Sequence, residues 1–283
     1  MLADKKSPHD VLSPETQDFY RRAMTHLQQA RLPFLVGGAY AFGRYTGIVR
    51  HTKDFDIFVH PRDFDRVLES LGQMGCSIER PFPHWLGKAW SGDDFVDVIF
   101  SSGNGVARVD DLWFEHAVDE EVLGMPAKLC PTEEMIWSKS FILERERYDG
   151  GDVAHLLRCR LEEIDWNRLL DRFADDWPVL LTHLVLFQYI YPDEADRVPS
   201  RVIDHLIGRV RNTHGGSAGS DRVCRGTLLS RSQFLVDVER WGYRDARLEP
   251  QGPMTARELE IWTAAALEEN GRPYSEADSG PLK

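Results

Sequence analysis

Phe34-Leu35-Val36-Gly37-Gly38-Ala39-Tyr40-Ala41-Phe42-Gly43, followed by Arg50-His51-Thr52-Lys53-Asp54-Phe55-Asp56-Ile57, decide how this chain folds. The first stretch reads as a short apolar strand, a glycine turn and the start of a helix. The second reads as a strand that carries two carboxylates, with Asp56-Ile57-Phe58-Val59 supplying β-branched and aromatic residues. Alternate residues of a strand share a face, so Asp54 and Asp56 project the same way, roughly 6.5–7 Å apart at Cα. Two like charges side by side are costly unless something positive lies between them. A divalent metal is one such neutraliser, and carboxylate oxygens suit Mg²⁺ or Mn²⁺. A bare Asp-x-Asp is more often a solvated strand face; the glycine pair upstream and a third acid downstream turn this one towards a site.

Glycine at 37 and 38 permits unusual dihedrals and close approach of a backbone or a phosphate. If a helix opens at Ala39, its free N–H groups face the same point and favour an anion, although an ordinary strand-to-helix turn has the same look. There is no Gly-x-x-x-x-Gly-Lys-Ser/Thr run, and Gly103-Asn104-Gly105 lacks the third glycine of a dinucleotide fingerprint. The third acid is Asp97, in the strand-like run Asp94-Phe95-Val96-Asp97-Val98-Ile99-Phe100. Period two puts it on one face with Phe95 and Ile99, between apolar neighbours where an unpaired charge is expensive. Beside the Asp54/Asp56 strand it would complete a trio able to hold two metals about 3.5–4 Å apart; on an edge it would merely face water.

An apolar strand, Gly-Gly, a helix, an Asp-x-Asp strand and a later third acid together resemble the DNA-polymerase-β-type nucleotidyltransferase superfamily. Arg50-x-Thr52-x-Asp54-x-Asp56 resembles its branch of AbiEii-type abortive-infection toxins and related small-molecule nucleotidyltransferases. That branch also carries a helix with Lys, a short basic segment and Lys-Asp-x-x-Asp. Here those are Lys139 in Trp137-Ser138-Lys139-Ser140-Phe141, then Arg145 and Arg147, then Tyr148-Asp149-Gly150-Gly151-Asp152, with Tyr148 where the branch has lysine. The resemblance implies an α+β fold, a mixed sheet flanked by helices with a helical C-terminal region, and transfer of a nucleoside monophosphate from an NTP with release of pyrophosphate. It implies Asp54, Asp56 and Asp97 as metal ligands, with Asp97 also activating the acceptor. Gly37, Gly38, Arg50, Thr52 and Lys139 would contact the nucleotide, and Asp152 would act as a base. A small-molecule hydroxyl is the preferred acceptor; a tRNA or protein acceptor, or nucleotide binding without catalysis, are the alternatives.

Read from the residues alone, Pro131 suits a first helical position, and Glu133 and Glu134 complement that helix's N-terminus. Trp137 and Phe141 share a face from which Lys139 diverges, into a cleft or into water. Gly150-Gly151 is expected to break this helix near 147, and Asp152 either caps the next helix or serves as the base. Arg145 and Arg147 either clamp phosphates or pair with Glu144 and Glu146.

The chain has 283 residues, enough for a catalytic domain over 1–130 and a helical domain over 131–283 that closes the cleft. With 42% hydrophobic and 28% charged residues it reads as an ordinary globular protein. No apolar run would span a membrane and the N-terminus has no signal-peptide core, so a cytoplasmic location is expected. Cys76, Cys130, Cys159 and Cys224 form no Cys-x-x-Cys pair, and Cys76 and Cys130 sit in apolar settings. A net charge of −12 disfavours a broad nucleic-acid surface without excluding a tRNA acceptor, and it suits a small cationic acceptor.

Along the chain, residues 1–12 look frayed, and Ser13-Pro14 starts a helix running to about Ala30. Strands are expected at 33–37, 54–60, 76–80, 85–90 and 94–100. Helices are expected at 39–46 and through Phe64, Val67, Leu68, Leu71 and Met74. A hairpin or strand over 122–130 leads to the 131–147 helix. Residues 153–210 read as helices broken near Asp165, Pro178 and Pro192 to Pro199. Asn212 to Gly226 reads as a Gly/Ser-rich loop, followed by helices at 234–241 and 255–269 and a polar tail.

Overall fold

The computed structural model describes residues 12–50, 54–213 and 222–269. The expectations for Thr52, for residues 1–11, for residues 214–221 of the Gly/Ser-rich stretch and for residues 270–283 fall outside the described residues. In chain order the elements are α1 (Pro14–Gln29), β1 (Leu35–Val36), α2 (Gly38–Thr46), β2 (Asp54–Phe58), α3 (Phe64–Gln73), β3 (Ser77–Phe82), β4 (Leu86–Ser91), β5 (Asp94–Ile99), α4 (Asp111–Glu115), β6 (Val118–Val122) and β7 (Met125–Leu129). The helical part follows as α5 (Thr132–Lys139), α6 (Gly150–Arg160), α7 (Trp166–Phe173), α8 (Trp177–Ile190) and α9 (Ser200–Thr213). The short β8 (Val223–Cys224), α10 (Leu235–Glu239), β9 (Arg244–Asp245) and finally α11 (Ala256–Glu269) complete it. No described helix is long and apolar enough to cross a membrane.

Local chemistry accounts for the first helix. Ser13 accepts a hydrogen bond from the Thr16 amide and Pro14 fills the first turn, so two otherwise orphaned groups are dealt with at the start. Its buried residues Phe19, Tyr20, Ala23, Met24 and Leu27 recur at helical spacing. The strands build a mixed sheet in the order β3-β4-β5-β2-β1-β7-β6, with β2 parallel to β5 and β1 parallel to β7. Helices α1 and α3 cover one face. Tyr20 stacks on Phe55 at 4.7 Å, and a side chain at Gly87 would run into Leu68 and Phe64. That face carries Phe55, Ile57, Ala89, Val96 and Val98, each at most 1% exposed. The alternate residues of the same strands therefore point the other way, and those include the acids.

The helical part is tied down by a buried ion network. Glu134 of α5 is fully buried and accepts from Arg168 and Arg172 of α7, and Arg172 also reaches Asp110 in the segment after β5. Burial raises the Glu134 carboxyl above its ordinary value, with the two arginines working the other way.

Two expectations are corrected here. The helix predicted over 131–147 ends at Lys139. The Glu144-Arg145-Glu146-Arg147 run has good helical propensity, but Glu144 is drawn off by Ser230 and Arg231, and the Leu143 amide donates to the Leu229 carbonyl. Tertiary bonding overrides propensity there. Gly150-Gly151, expected as a break, instead begins α6; Asp149 holds the cap position and Asp152 sits inside the first turn. Asp152 is thus not the cap.

Candidate active site

The site is assembled by register. In the parallel β2–β5 pair Asp56 lies directly opposite Asp97, and Asp54 opposite Phe95. Residues opposed in this way share a face, so Asp54, Asp56 and Asp97 all project from the side of the sheet away from α1 and α3. Asp54 is exposed, Asp56 half-buried and Asp97 buried at 9% exposure. Phe55, held between stacked Tyr20 and edge-on Tyr40, anchors β2 from behind.

Gly37 and Gly38 press against this row. The Gly37 amide donates to the Asp56 carbonyl at 3.0 Å. Gly38 has φ +52°, and a Cβ there would lie 1.7 Å from Asp56 Oδ2. A Cβ at Gly37 would lie 2.4 Å from the Phe58 ring. Both glycines are therefore steric requirements, and the positive end of α2 is set against the acids.

The electrostatics of the trio follow from that crowding. Burial, then the charges of Asp97 and Asp54, push the Asp56 carboxyl up to about 7, with Lys139 and Lys88 working against the shift. Burial likewise raises Asp97, opposed by its bond to Lys88. Carboxylates held this close want a cation, and a pair of them with phosphate oxygens is a donor set that Mg²⁺ accepts. Asp54 and Asp56 fit such an ion. Among the described residues no group of three or more His, Cys, Asp or Glu is arranged to hold a metal by itself.

Lys139 points towards this side and not into water. Its Nζ donates to Asp149 Oδ2 at 3.0 Å and to Asp152 Oδ2 at 2.8 Å. Arg50 grips Asp152 through both guanidinium nitrogens, with Nη1 donating to Oδ2 at 2.9 Å. Arg147 is bidentate on Asp149 at 3.0 and 3.1 Å. Burial works upward on both aspartates, but the Arg147 hydrogen bond and Lys139 hold Asp149 below its ordinary value. The Arg50 hydrogen bond and Lys139 do the same for Asp152. An acid held low between two cations is poorly suited to take a proton. Arg147 thus pairs with Asp149 rather than with Glu144 or Glu146, and Glu144 goes to Arg231.

One site residue carried no sequence signal. Lys88 of β4 is directly opposite Asp97, and its Nζ donates to Asp97 Oδ1 at 2.6 Å. Period two from Asp97 across an antiparallel neighbour would have found it, had the register of β4 been legible.

No protein-family model matches the chain, and no curated protein matches it. Among solved structures it is similar to the antibiotic-resistance factor ANT(2'')-Ia in solution, at 13% identity and TM-score 0.43 over 61% of this chain and 98% of that one. It is similar to the lincosamide antibiotic adenylyltransferase LnuA with lincomycin bound, at 14% identity and TM-score 0.37 over 51% and 96%. It is also similar to JHP933 from Helicobacter pylori, at 13% identity and TM-score 0.36 over 72% and 98%.

Proposed function

We propose that this chain is an enzyme that transfers a nucleoside monophosphate from an NTP to the hydroxyl of a small acceptor. The observation that carries this reading is the in-register pairing of Asp56 with Asp97 against a glycine that no other residue could replace without displacing Asp56. Residues 1–130 form the catalytic half, and the helical half over 131–283 closes over the acids.

The acceptor oxygen bonds to the α-phosphorus, the bond to the pyrophosphate oxygen breaks, and the acceptor proton passes to Asp97. Lys88 engages Oδ1 of that carboxylate, which leaves Oδ2 for the proton, and burial has already raised its affinity for one. Asp54 and Asp56 would hold Mg²⁺ or Mn²⁺, which when bound would supply positive charge to the phosphates. Gly37 and Gly38 let the phosphates approach the start of α2. Arg50 and Lys139 add positive charge around them. We assign Asp152 to aligning Lys139 and Arg50 rather than to taking the proton. Catalysis is then mostly positioning and charge neutralisation. Use of an NTP suits a cytoplasmic reaction.

A small cationic acceptor is supported by the strip beside Asp97, where Glu79 accepts from the Trp90 indole N–H and accompanies Trp90 and Phe95, whose rings are 4.5 Å apart. Negative charge there favours a cation and repels a polyphosphate chain. The test incubates the protein with each α-labelled NTP, Mg²⁺ or Mn²⁺, and pools of aminoglycoside-like molecules, tRNA and protein. Label is expected on a small molecule, with loss of transfer in folded Asp54→Ala/Asp56→Ala. Label on RNA or protein would move the reading to the toxin type, and NTP binding with no transfer to any pool would refute catalysis.

A further inference from the structure

The face that bears the three acids already holds a cation of its own. Antiparallel pairing sets Lys88 of β4 opposite Asp97 of β5, and the two side chains, 20% and 13% exposed, are joined at 2.6 Å. A charge-assisted bond of that length is a strong one. The ammonium is also fixed from the side: its Nζ lies 3.9 Å from the centroid of the Phe95 ring and 5.7 Å from that of Trp90, within reach of the negative ring faces. Asp56 is opposite Asp97 and Asp54 is opposite Phe95, so Lys88 leans along β5 from the level of Asp56 towards that of Asp54. Lysine has no lone pair to offer while charged, so it cannot join a metal's ligand set; it can only compete with a metal for the carboxylates.

We propose that Lys88 is a built-in cation at the third acid, so that this chain loads one divalent ion, at Asp54 and Asp56, where three unpaired acids would load two. The inference rests on the nucleotidyl-transfer reading above. It makes Lys88 a positioning residue, holding Asp97 towards the acceptor and excluding a second ion by like charge and by occupancy of Oδ1. Asp97 is thereby kept off metal and reserved for the proton.

Equilibrium dialysis of the full chain with Mn²⁺ and each of the four α,β-methylene nucleoside triphosphates counts ions and nucleotide retained per chain. One Mn²⁺ per bound nucleotide is expected for the parent chain and for Lys88→Arg, and two for Lys88→Met. Two in the parent chain would overturn the role of Lys88 while leaving the transfer reading intact. None in the parent chain with any nucleotide would overturn both. Lys88→Met that folds, as judged by its circular dichroism, and still retains one ion would also overturn it. Should Lys88→Met fail to fold, the parent and Lys88→Arg counts decide the matter: one ion in each supports the inference and two in either refutes it.

Discussion

Gly38→Ala isolates the glycine turn's contribution to chemistry from its contribution to folding, because Gly47 supplies an internal control at the other end of the same helix. Gly38 has φ +52° and Gly47 has φ +72°, so alanine at either pays the left-handed backbone cost of about 1–2 kcal/mol. The two differ in surroundings. A Cβ at Gly47 meets nothing within 4 Å, whereas at Gly38 it would stand 1.7 Å from Asp56 Oδ2 and 2.6 Å from its Cγ. The Asp56 carboxylate would have to withdraw by more than about 1 Å, a displacement that can cost a reaction about 100-fold. Urea unfolding of the two variants should therefore give similar losses. Pyrophosphate release should fall about 100-fold or more in Gly38→Ala and stay within about threefold of the parent in Gly47→Ala, the margin expected for a change remote from the reacting groups. Equal activity of both variants, with Gly38→Ala folded, would refute the argument that Asp56 needs that glycine.

Two further outcomes follow from buried groups. His183 of α8 is 3% exposed and its Nε2 bonds the Ser140 carbonyl at 2.9 Å, just beyond Lys139. Burial holds it below the ordinary value of 6.5, with that bond working upward. The unfolded chain thus takes the proton first, and stability is full above about pH 6.5 and falls as pH drops below it, by up to about 1.4 kcal/mol per pH unit. His183→Gln should flatten that slope in melting curves between pH 7 and 5, and parallel curves for parent and variant would count against it. Glu134→Ala removes the buried carboxylate that Arg168 and Arg172 share, leaving Arg168 on Glu133 and Arg172 on Asp110, and should cost about 3 kcal/mol, the low end for a broken buried pair, in urea unfolding. A loss under about 1 kcal/mol would mean that the network is not holding α7 to α5.

The acids were legible because period two is a strong signal where apolar residues alternate with aspartate. The strands expected at 54–60 and 94–100 are found at Asp54–Phe58 and Asp94–Ile99, with Asp97 on the face shared by Phe95 and Ile99 as expected. Ser13-Pro14 marked the start of α1, and Asp165 caps α7 by accepting from the amides of Asn167 and Arg168. What failed lay where distant contacts outweigh local preference. Nothing near Glu144 announces Ser230 and Arg231, 86 and 87 residues on, and so the helix looked longer than it is. Lys88 was missed for the same reason. The run Leu86-Gly87-Lys88-Ala89-Trp90 shows a strand, but only its pairing with β5 brings that lysine to Asp97. Gly150-Gly151 misled because glycine's low helix propensity says nothing about a first turn that Asp149 introduces.

The side-by-side run of β2 and β5 also guards against misassembly. Parallel neighbours cannot be joined by a tight turn, so α3, β3 and β4 intervene between the two strands that carry the aspartates. Sliding β5 by a single position would drive Asp97 beneath α1 and α3 and turn Val96 and Val98 out to water. The chain therefore has one low-energy alignment, and it is also the one that brings its acids together. Errors in threading are penalised by the hydrophobic interior before they could yield a folded but inert molecule.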